Sequence, residues 1–209
     1  QDLSALRLWM DQCCPRAVLL VDALQSFGKM TIPWEDARID LLAVGGRKIG
    51  GPASIGALIC REPVSLQPLM FGGGQQGGLR PGTVDAVGIL EFVDAVRIAI
   101  GRRDEAYRRV TAMNAALRKR LDEMETVRPI MLSDWQASPY ILAFSFPGYE
   151  GAVLMRLLAE EGVIVGTGSA CGHDRQRASH VVRAMGYDTQ TSRGMLRVSF
   201  SHSNGDADV

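Results

Sequence analysis

The chain has 209 residues and no net formal charge, with 46% hydrophobic and 22% charged residues. Such a composition suits a globular polypeptide of one or two domains, and the neutral balance offers no field to gather nucleic acid or anionic lipid. The longest apolar run, residues 17–24, is interrupted by Asp22 and falls far short of the roughly 20 residues that cross a bilayer; neither nucleic acid nor membrane is an expected partner. The four cysteines, Cys13, Cys14, Cys60 and Cys171, show no metal-ligand or disulfide spacing. No metal is therefore expected, and a reducing cytoplasm is the expected location. The chain opens on Gln1 rather than methionine and enters a helical pattern at once instead of a secretory leader, as a sequence entered midway does.

In chain order, residues 5–13 are predicted to form a helix with Leu6, Trp9 and Met10 on one face and Pro15 beyond its end. Residues 17–21 and 39–44 are unbroken apolar runs, the pattern of parallel strands covered on both faces. Residues 55–60 read as a third strand. A glycine-dense segment, residues 71–83, gives way to a long helix from near Val84. Its continuation repeats Ala106, Val110, Met113, Leu117, Leu121 and Met124 at steps of three and four. Gly101, Arg102 and Arg103 are expected to bend it or to mark a boundary, dividing residues 1–103 from residues 104–209. Further on, the alternation of Tyr140, Leu142, Phe144 and Phe146 predicts a strand with one apolar face. A helix at Val153, Leu154, Leu157 and Leu158, a short strand at 163–165, a helix at 179–185 and a strand at 195–200 complete the chain. The expected fold class is α/β, with mostly parallel strands first and a smaller mixed unit after them.

Lys48 stands out among only three lysines, the other two, Lys29 and Lys119, lying in ordinary polar settings. It follows an apolar strand and is flanked by Gly45, Gly46, Gly50 and Gly51, which permit tight turns and close approach of a ligand. A primary amine at the end of a buried strand suits condensation with a carbonyl, because desolvation and neighbouring cations favour the neutral, nucleophilic form. The plain alternative is a loop lysine in a surface ion pair. Asp22 ends the first apolar run, and Gln25 lies three residues on. In open α/β sheets ligands bind beyond the carboxyl ends of strands, where a carboxylate needs a cation or proton donor to offset its burial. A protonated pyridine nitrogen is such a donor; a helix N-cap is the alternative role.

The segments Val21-Asp22-Ala23-Leu24-Gln25-Ser26-Phe27-Gly28-Lys29, Asp40-Leu41 and Lys48-Ile49-Gly50-Gly51-Pro52 resemble the cysteine desulfurases of the class V aminotransferase group. Residues 72–83, Gly168-Ser169-Ala170-Cys171 and Arg197-Val198-Ser199 extend the resemblance, in the same order, over essentially the whole chain. It implies a pyridoxal 5′-phosphate-dependent transferase fold of type I. The large domain would be present in part, and the carboxyl-terminal domain would carry a cysteine loop. It further implies that Lys48 condenses with the cofactor aldehyde, that Asp22 pairs with the ring nitrogen and that Gln25 touches the ring hydroxyl. Arg47 would attract the phosphate, Thr83 would reach the phosphate held by a second subunit of a homodimer with shared sites, and Arg197 would hold the substrate carboxylate.

Cys171 selects the reaction that the resemblance implies: L-cysteine to L-alanine, with a persulfide left on Cys171 for an acceptor or scaffold protein such as those of iron–sulfur assembly. Glycines on both sides and downstream cations suit a reactive thiolate, whereas Cys60 is expected to be inert and Cys13 and Cys14 to pack. The family's usual serine and histidine before the lysine are Gly45 and Arg47 here, and the histidine and arginine of its glycine-rich loop are Gln75 and Gly77. The chain resembles the carboxyl half of a family member and stops early at Val209. The family's upstream half supplies a ring-stacking histidine and further strands. Two other readings fit the same residues. One is another class V aminotransferase or selenocysteine lyase-type enzyme in which Cys171 carries no sulfur. The other is a truncated or degenerate domain that serves as a dimerising module.

Overall fold

In the computed structural model Asp2 starts the first helix, its carboxylate accepting the Ala5 amide at 2.9 Å, the arrangement that satisfies an otherwise orphaned first-turn donor. The structure describes residues 2–62, 65–131, 137–168 and 179–209, which form two units, Gln1–Glu105 and Ala106–Val209. In the first unit, helix α1 (Leu3–Cys13) turns Met10 inward and is tethered through charge. Arg7 donates to Asp11 and to Asp40, each at 3.1 Å, and Asp40 also accepts the Leu19 amide at 2.8 Å. That carboxylate ties α1 to the starts of the two strands that follow.

Strands β1 (Leu20–Asp22) and β2 (Leu41–Gly45) are parallel, with Leu20 opposite Leu41 and Asp22 opposite Ala43. Strand β3 (Gly56–Cys60) runs antiparallel to β2, with Gly45 opposite Gly56 and Leu41 opposite Cys60. The first pair matches the mostly parallel sheet expected, and the antiparallel member is this third strand. Only ten residues separate β2 from β3, and a parallel return needs a crossover of about a dozen or more. The expectation of burial on both faces is corrected. Leu42 and Val44 point into a core with Met10, Leu19, Ala23, Ala37, Ile39, Ile49, Phe92, Ala95 and Ala99. The opposite face, by the strand period of two, carries Leu20, Asp22, Leu41, Ala43, Gly45, Leu58 and Cys60. Of these only the central Leu41 is buried; Leu20 is 56% exposed and Leu58 48%.

Helix α2 (Ala86–Asp122) enters the first core through Phe92, Ala95 and Ala99 and the second through Val110 and Met113. It runs through Gly101, Arg102 and Arg103 as unbroken helix. A single glycine costs a helix interior only about 1 kcal/mol relative to alanine, less than the packing on either side supplies. In the second unit, β4 (Arg128–Pro129), β5 (Ile141–Ser145) and β6 (Met195–Ser199) form an antiparallel sheet in that order. Helices α3 (Gly151–Glu160), α4 (His180–Ala184) and α5 (Thr189–Arg193) accompany it. Tyr140, Leu142 and Phe144 alternate into the core with Val110, Met113, Leu196 and Phe200, as the sequence pattern implies. Residues 163–165 form no strand: Ile164 is 82% exposed, and pairing to β6 is confined to the bridge between Gly166 and Arg197.

The second sheet is fastened by buried polar contacts. Ser145 donates to the Thr191 carbonyl at 2.6 Å, and Asn114 to the Pro139 carbonyl at 2.8 Å. Asp188 caps α5, accepting the Thr191 amide at 2.7 Å. That amide holds the carboxyl below its ordinary range, with the Thr191 hydroxyl and Arg128 adding to the effect. A depressed carboxyl contributes stability above the ordinary aspartate pKa of about 3.9 and loses it as the pH falls through the folded value. Asp188→Asn is therefore expected to flatten the acid limb of the stability–pH curve, read from urea midpoints, by lowering the neutral region toward the acid value.

Candidate cofactor site

Asp22 is the last residue of β1, on the open face of the sheet. Its Oδ1 accepts the Leu24 amide at 3.0 Å, so it closes a turn, and no helix begins there. Among the described residues its Oδ2 has no partner. The chain then coils through a series of turns in which Ala23 N donates to the Ala43 carbonyl at 2.9 Å and Phe27 N to the Ala23 carbonyl at 2.8 Å. This turn presents Gln25 exposed beside the end of β1. Because β1 and β2 are parallel neighbours, the chain leaving β2 emerges at the same end of the sheet.

A short 3-10 turn, Gly46–Lys48, follows β2 directly and carries Arg47 and Lys48, both exposed. Neither makes a side-chain hydrogen bond or ion pair among the described residues, so the surface ion pair that was the plain alternative for Lys48 is not formed. The turn is shaped by backbone contacts: Gly46 N donates to Ile55 O, and Gly51 N to Gly46 O, both at 2.9 Å. A Cβ on Gly46 would lie 2.6 Å from the Pro52 carbonyl oxygen and 3.2 Å from the Phe92 ring. A Cβ on Gly45 would meet only ordinary contacts, Leu24 Cδ2 at 3.6 Å and Ile55 O at 3.9 Å, in extended backbone with φ −151°. Gly46 is thus demanded by space and Gly45 is not. Gly46→Ala is expected to cost about 1–3 kcal/mol through overpacking, whereas Gly45→Ser should leave the urea midpoint unchanged.

Thr83 lies exposed three residues before α2, with no side-chain hydrogen bond among the described residues; the loop before it is held by Gly82 N donating to Gln75 Oε1 at 3.3 Å. Arg197 belongs to the second unit. It is half-buried on β6, its Nη1 donates to the Gly168 carbonyl at 2.8 Å, and its Nε is buried with no hydrogen-bond partner among the described residues. A buried guanidinium nitrogen left in that state calls for an anion or another acceptor, which a surface arginine does not. Cys171, with residues 169–178, lies outside the described residues. Cys60 is exposed at the end of β3, and Cys13 is exposed while Cys14 packs on the core. The expected packing of Cys13 is thereby corrected, because the outer side of α1 is uncovered, and Cys60 lies on the uncovered face of the sheet.

Sequence reasoning placed Lys29 in an ordinary polar setting, which the structure corrects. It is half-buried, and burial first, then the charge of Lys48, holds its ammonium below the ordinary lysine range. Only its place one residue after Gly28 in the turn after β1 could have marked it. At the carboxyl ends of β1 and β2 the chain thus gathers an amine able to take an aldehyde, a carboxylate for a ring nitrogen and a guanidinium for a phosphate. This donor set fits pyridoxal phosphate: Lys48, Asp22 with Gln25, and Arg47 would hold its three functional ends.

The Aminotransferase class-V family model matches residues 8–209. An IscS-like cysteine desulfurase of Mycobacterium tuberculosis is 36% identical over 194 residues, covering 90% of this chain and 48% of that protein. Among solved structures, a NifS-like protein superposes with a TM-score of 0.87 at 27% identity, over all of this chain and 53% of the other. A structure described as SspA in complex with cysteine matches with a TM-score of 0.70 at 26% identity, over 96% of this chain and 54% of the other. The chain spans about half the length of the curated relatives it matches.

Proposed function

The chain belongs to the class V aminotransferase family, and from that premise we propose that it supplies the lysine turn and the cysteine loop of a pyridoxal phosphate-dependent cysteine desulfurase. The observation that carries the reading is the placement of Asp22 and the Lys48 turn at the carboxyl ends of adjacent parallel strands. Bound there, pyridoxal phosphate supplies an electron sink for charge developing at the substrate α-carbon. The chain's residues supply the rest. The Asp22 carboxylate keeps the ring nitrogen protonated, and the Arg47 guanidinium attracts the phosphate. Lys48 Nζ would hold the cofactor aldehyde and, when free, would take the α-proton. Arg197 offers its guanidinium fork to the substrate carboxylate.

Cys171 then attacks the substrate sulfur as a thiolate. The new bond is sulfur to sulfur, the carbon–sulfur bond breaks, and its electron pair stays on the carbon, which is protonated to the methyl of alanine. L-Cysteine plus the Cys171 thiol becomes L-alanine plus a Cys171 persulfide, with no external oxidant. The persulfide passes to a sulfur-acceptor or scaffold protein of the cytoplasm, and Thr83 completes the phosphate site of a second copy in a homodimer. The relatives described as cysteine desulfurases and the neighbour in complex with cysteine support this choice of substrate. The test is product analysis with L-cysteine and pyridoxal phosphate: equimolar alanine and protein persulfide are expected. Pyruvate with free sulfide, the products of elimination, would contradict it.

A further inference from the structure

Three glycines border the strand that carries Arg197, and the reasons for their lack of a side chain differ. A Cβ on Gly151 would lie 2.4 Å from the Met195 carbonyl oxygen, and one on Gly194 would lie 2.1 Å from the Phe146 carbonyl oxygen. Backbone fills both places, so the fold itself demands these two glycines. Gly166 is different. The three atoms nearest its Cβ position all belong to the Arg197 guanidinium: Nη2 at 3.2 Å, and Cζ and Nε at 3.7 Å. Its backbone is not left-handed, so conformation does not require glycine there either. Gly166 and Arg197 form an antiparallel bridge, their amides donating to each other's carbonyls at 2.9 and 2.7 Å. Two residues on, Gly168 does lie at φ +54°, and its carbonyl accepts Arg197 Nη1 at 2.8 Å.

We propose that Gly166 is a positioning residue for Arg197: its bare backbone lets the guanidinium pack against it, with Nη1 tied to Gly168 and the Nε–Nη2 edge left for a substrate carboxylate. The proposal rests on the reading of Arg197 as the carboxylate-binding residue. A guanidinium offers two parallel donors along one edge, and a carboxylate is recognised when that edge is held at a fixed angle. Three contacts hold the angle here. Gly168 takes Nη1 on one side. Gly166 backs the Nη2 side, where any side chain would push the group away. Ala143, opposite Arg197 on β5, brings no acceptor of its own side chain. Nε is buried without a hydrogen-bond partner among the described residues, so the uncommitted donors lie along the Nε–Nη2 edge. A fork aimed in advance spares the ligand the cost of ordering a long, rotamer-rich side chain. Gly166 thereby favours ligands with a planar anionic carboxylate over their amides.

The experiment is modification of the full chain by butanedione, an arginine-selective dicarbonyl, read by peptide mass spectrometry. The rate at Arg197 is taken against that at Arg156, exposed on α3. Propionate is the carboxylate probe, and propionamide its uncharged match. In Gly166→Val, Arg197 should lose its hold on Gly168 and react about fivefold faster than in the parent, the order expected when one hydrogen bond is lost. Gly166→Ala asks the guanidinium to move by only a few tenths of an ångström and should fall between the two, so it carries the test if the valine variant fails to fold. Propionate should slow the reaction at Arg197 in the parent, propionamide should not, and Gly166→Val should erase that difference. Equal rates and equal protection in parent and variants overturn the proposal. So does a rise shared by the other arginines, the mark of a glycine that only holds the fold. Propionate without effect on the parent would instead strike the role given to Arg197 itself. The labelling needs no cofactor, so its outcome is separable from a failure to bind pyridoxal phosphate.

Discussion

Lys48→Ala is expected to abolish the visible absorbance that pyridoxal phosphate gives on binding the parent chain. Where the assembled enzyme turns over L-cysteine, the same change should lower the rate by about three orders of magnitude or more, the range seen when a nucleophile that doubles as proton carrier is removed. Lys48 is exposed and makes no side-chain hydrogen bond among the described residues, so the fold should hold, with stability within about 0.5 kcal/mol of the parent. The loss is then chemical rather than structural. Normal absorbance in Lys48→Ala would mean that another amine takes the aldehyde.

Cys171→Ser is the second large effect, and it separates two steps. Serine keeps the size of the side chain but cannot accept sulfur at neutral pH, because its hydroxyl stays protonated where a thiol ionises. Cofactor absorbance should persist, substrate should still alter the spectrum, and alanine formation should fall to background. Retained alanine production would reassign the acceptor and favour the reading in which Cys171 carries no sulfur. Paired with Lys48→Ala, it places one residue at cofactor binding and the other at sulfur transfer.

Much of this was legible in the residues. The apolar runs and alternations gave the positions of β1, β2, β3, β5 and β6 to within about three residues while β4 went unpredicted, and the three-four repeat of Ala106, Val110 and Met113 gave the continuation of α2. The direction of β3 was also available, since ten residues between strands leave no room for a parallel crossover. The exposure of Leu20 and Leu58 was not: hydrophobicity records what a side chain can bury against, and in this unit the helices cover one face of the sheet only. Residues 163–165 misled in a related way, because β-branched residues favour strands but pairing needs a free edge in register, and β6 offers one only at Gly166.

The site was partly readable. Lys48 and Asp22 stand at strand ends where the apolar runs stop, so their residue types could be matched to chemistry before any coordinates. Three features needed the fold: that Gly46 is enforced by the Pro52 carbonyl while Gly45 is not, that Arg197 tucks its guanidinium under Gly168, and that the Gly28 turn packs on Ile49. Each depends on contacts between segments 6 to about 30 residues apart in the chain, which local pattern cannot register.

The most direct test is to treat the chain with pyridoxal phosphate, reduce it with borohydride and map the modified lysine. The account predicts a pyridoxyl group on the Lys48 peptide, lost in Lys48→Ala and weakened in Asp22→Ala. Modification of Lys119 or Lys29 with Lys48 untouched, or no modification at all, would contradict it.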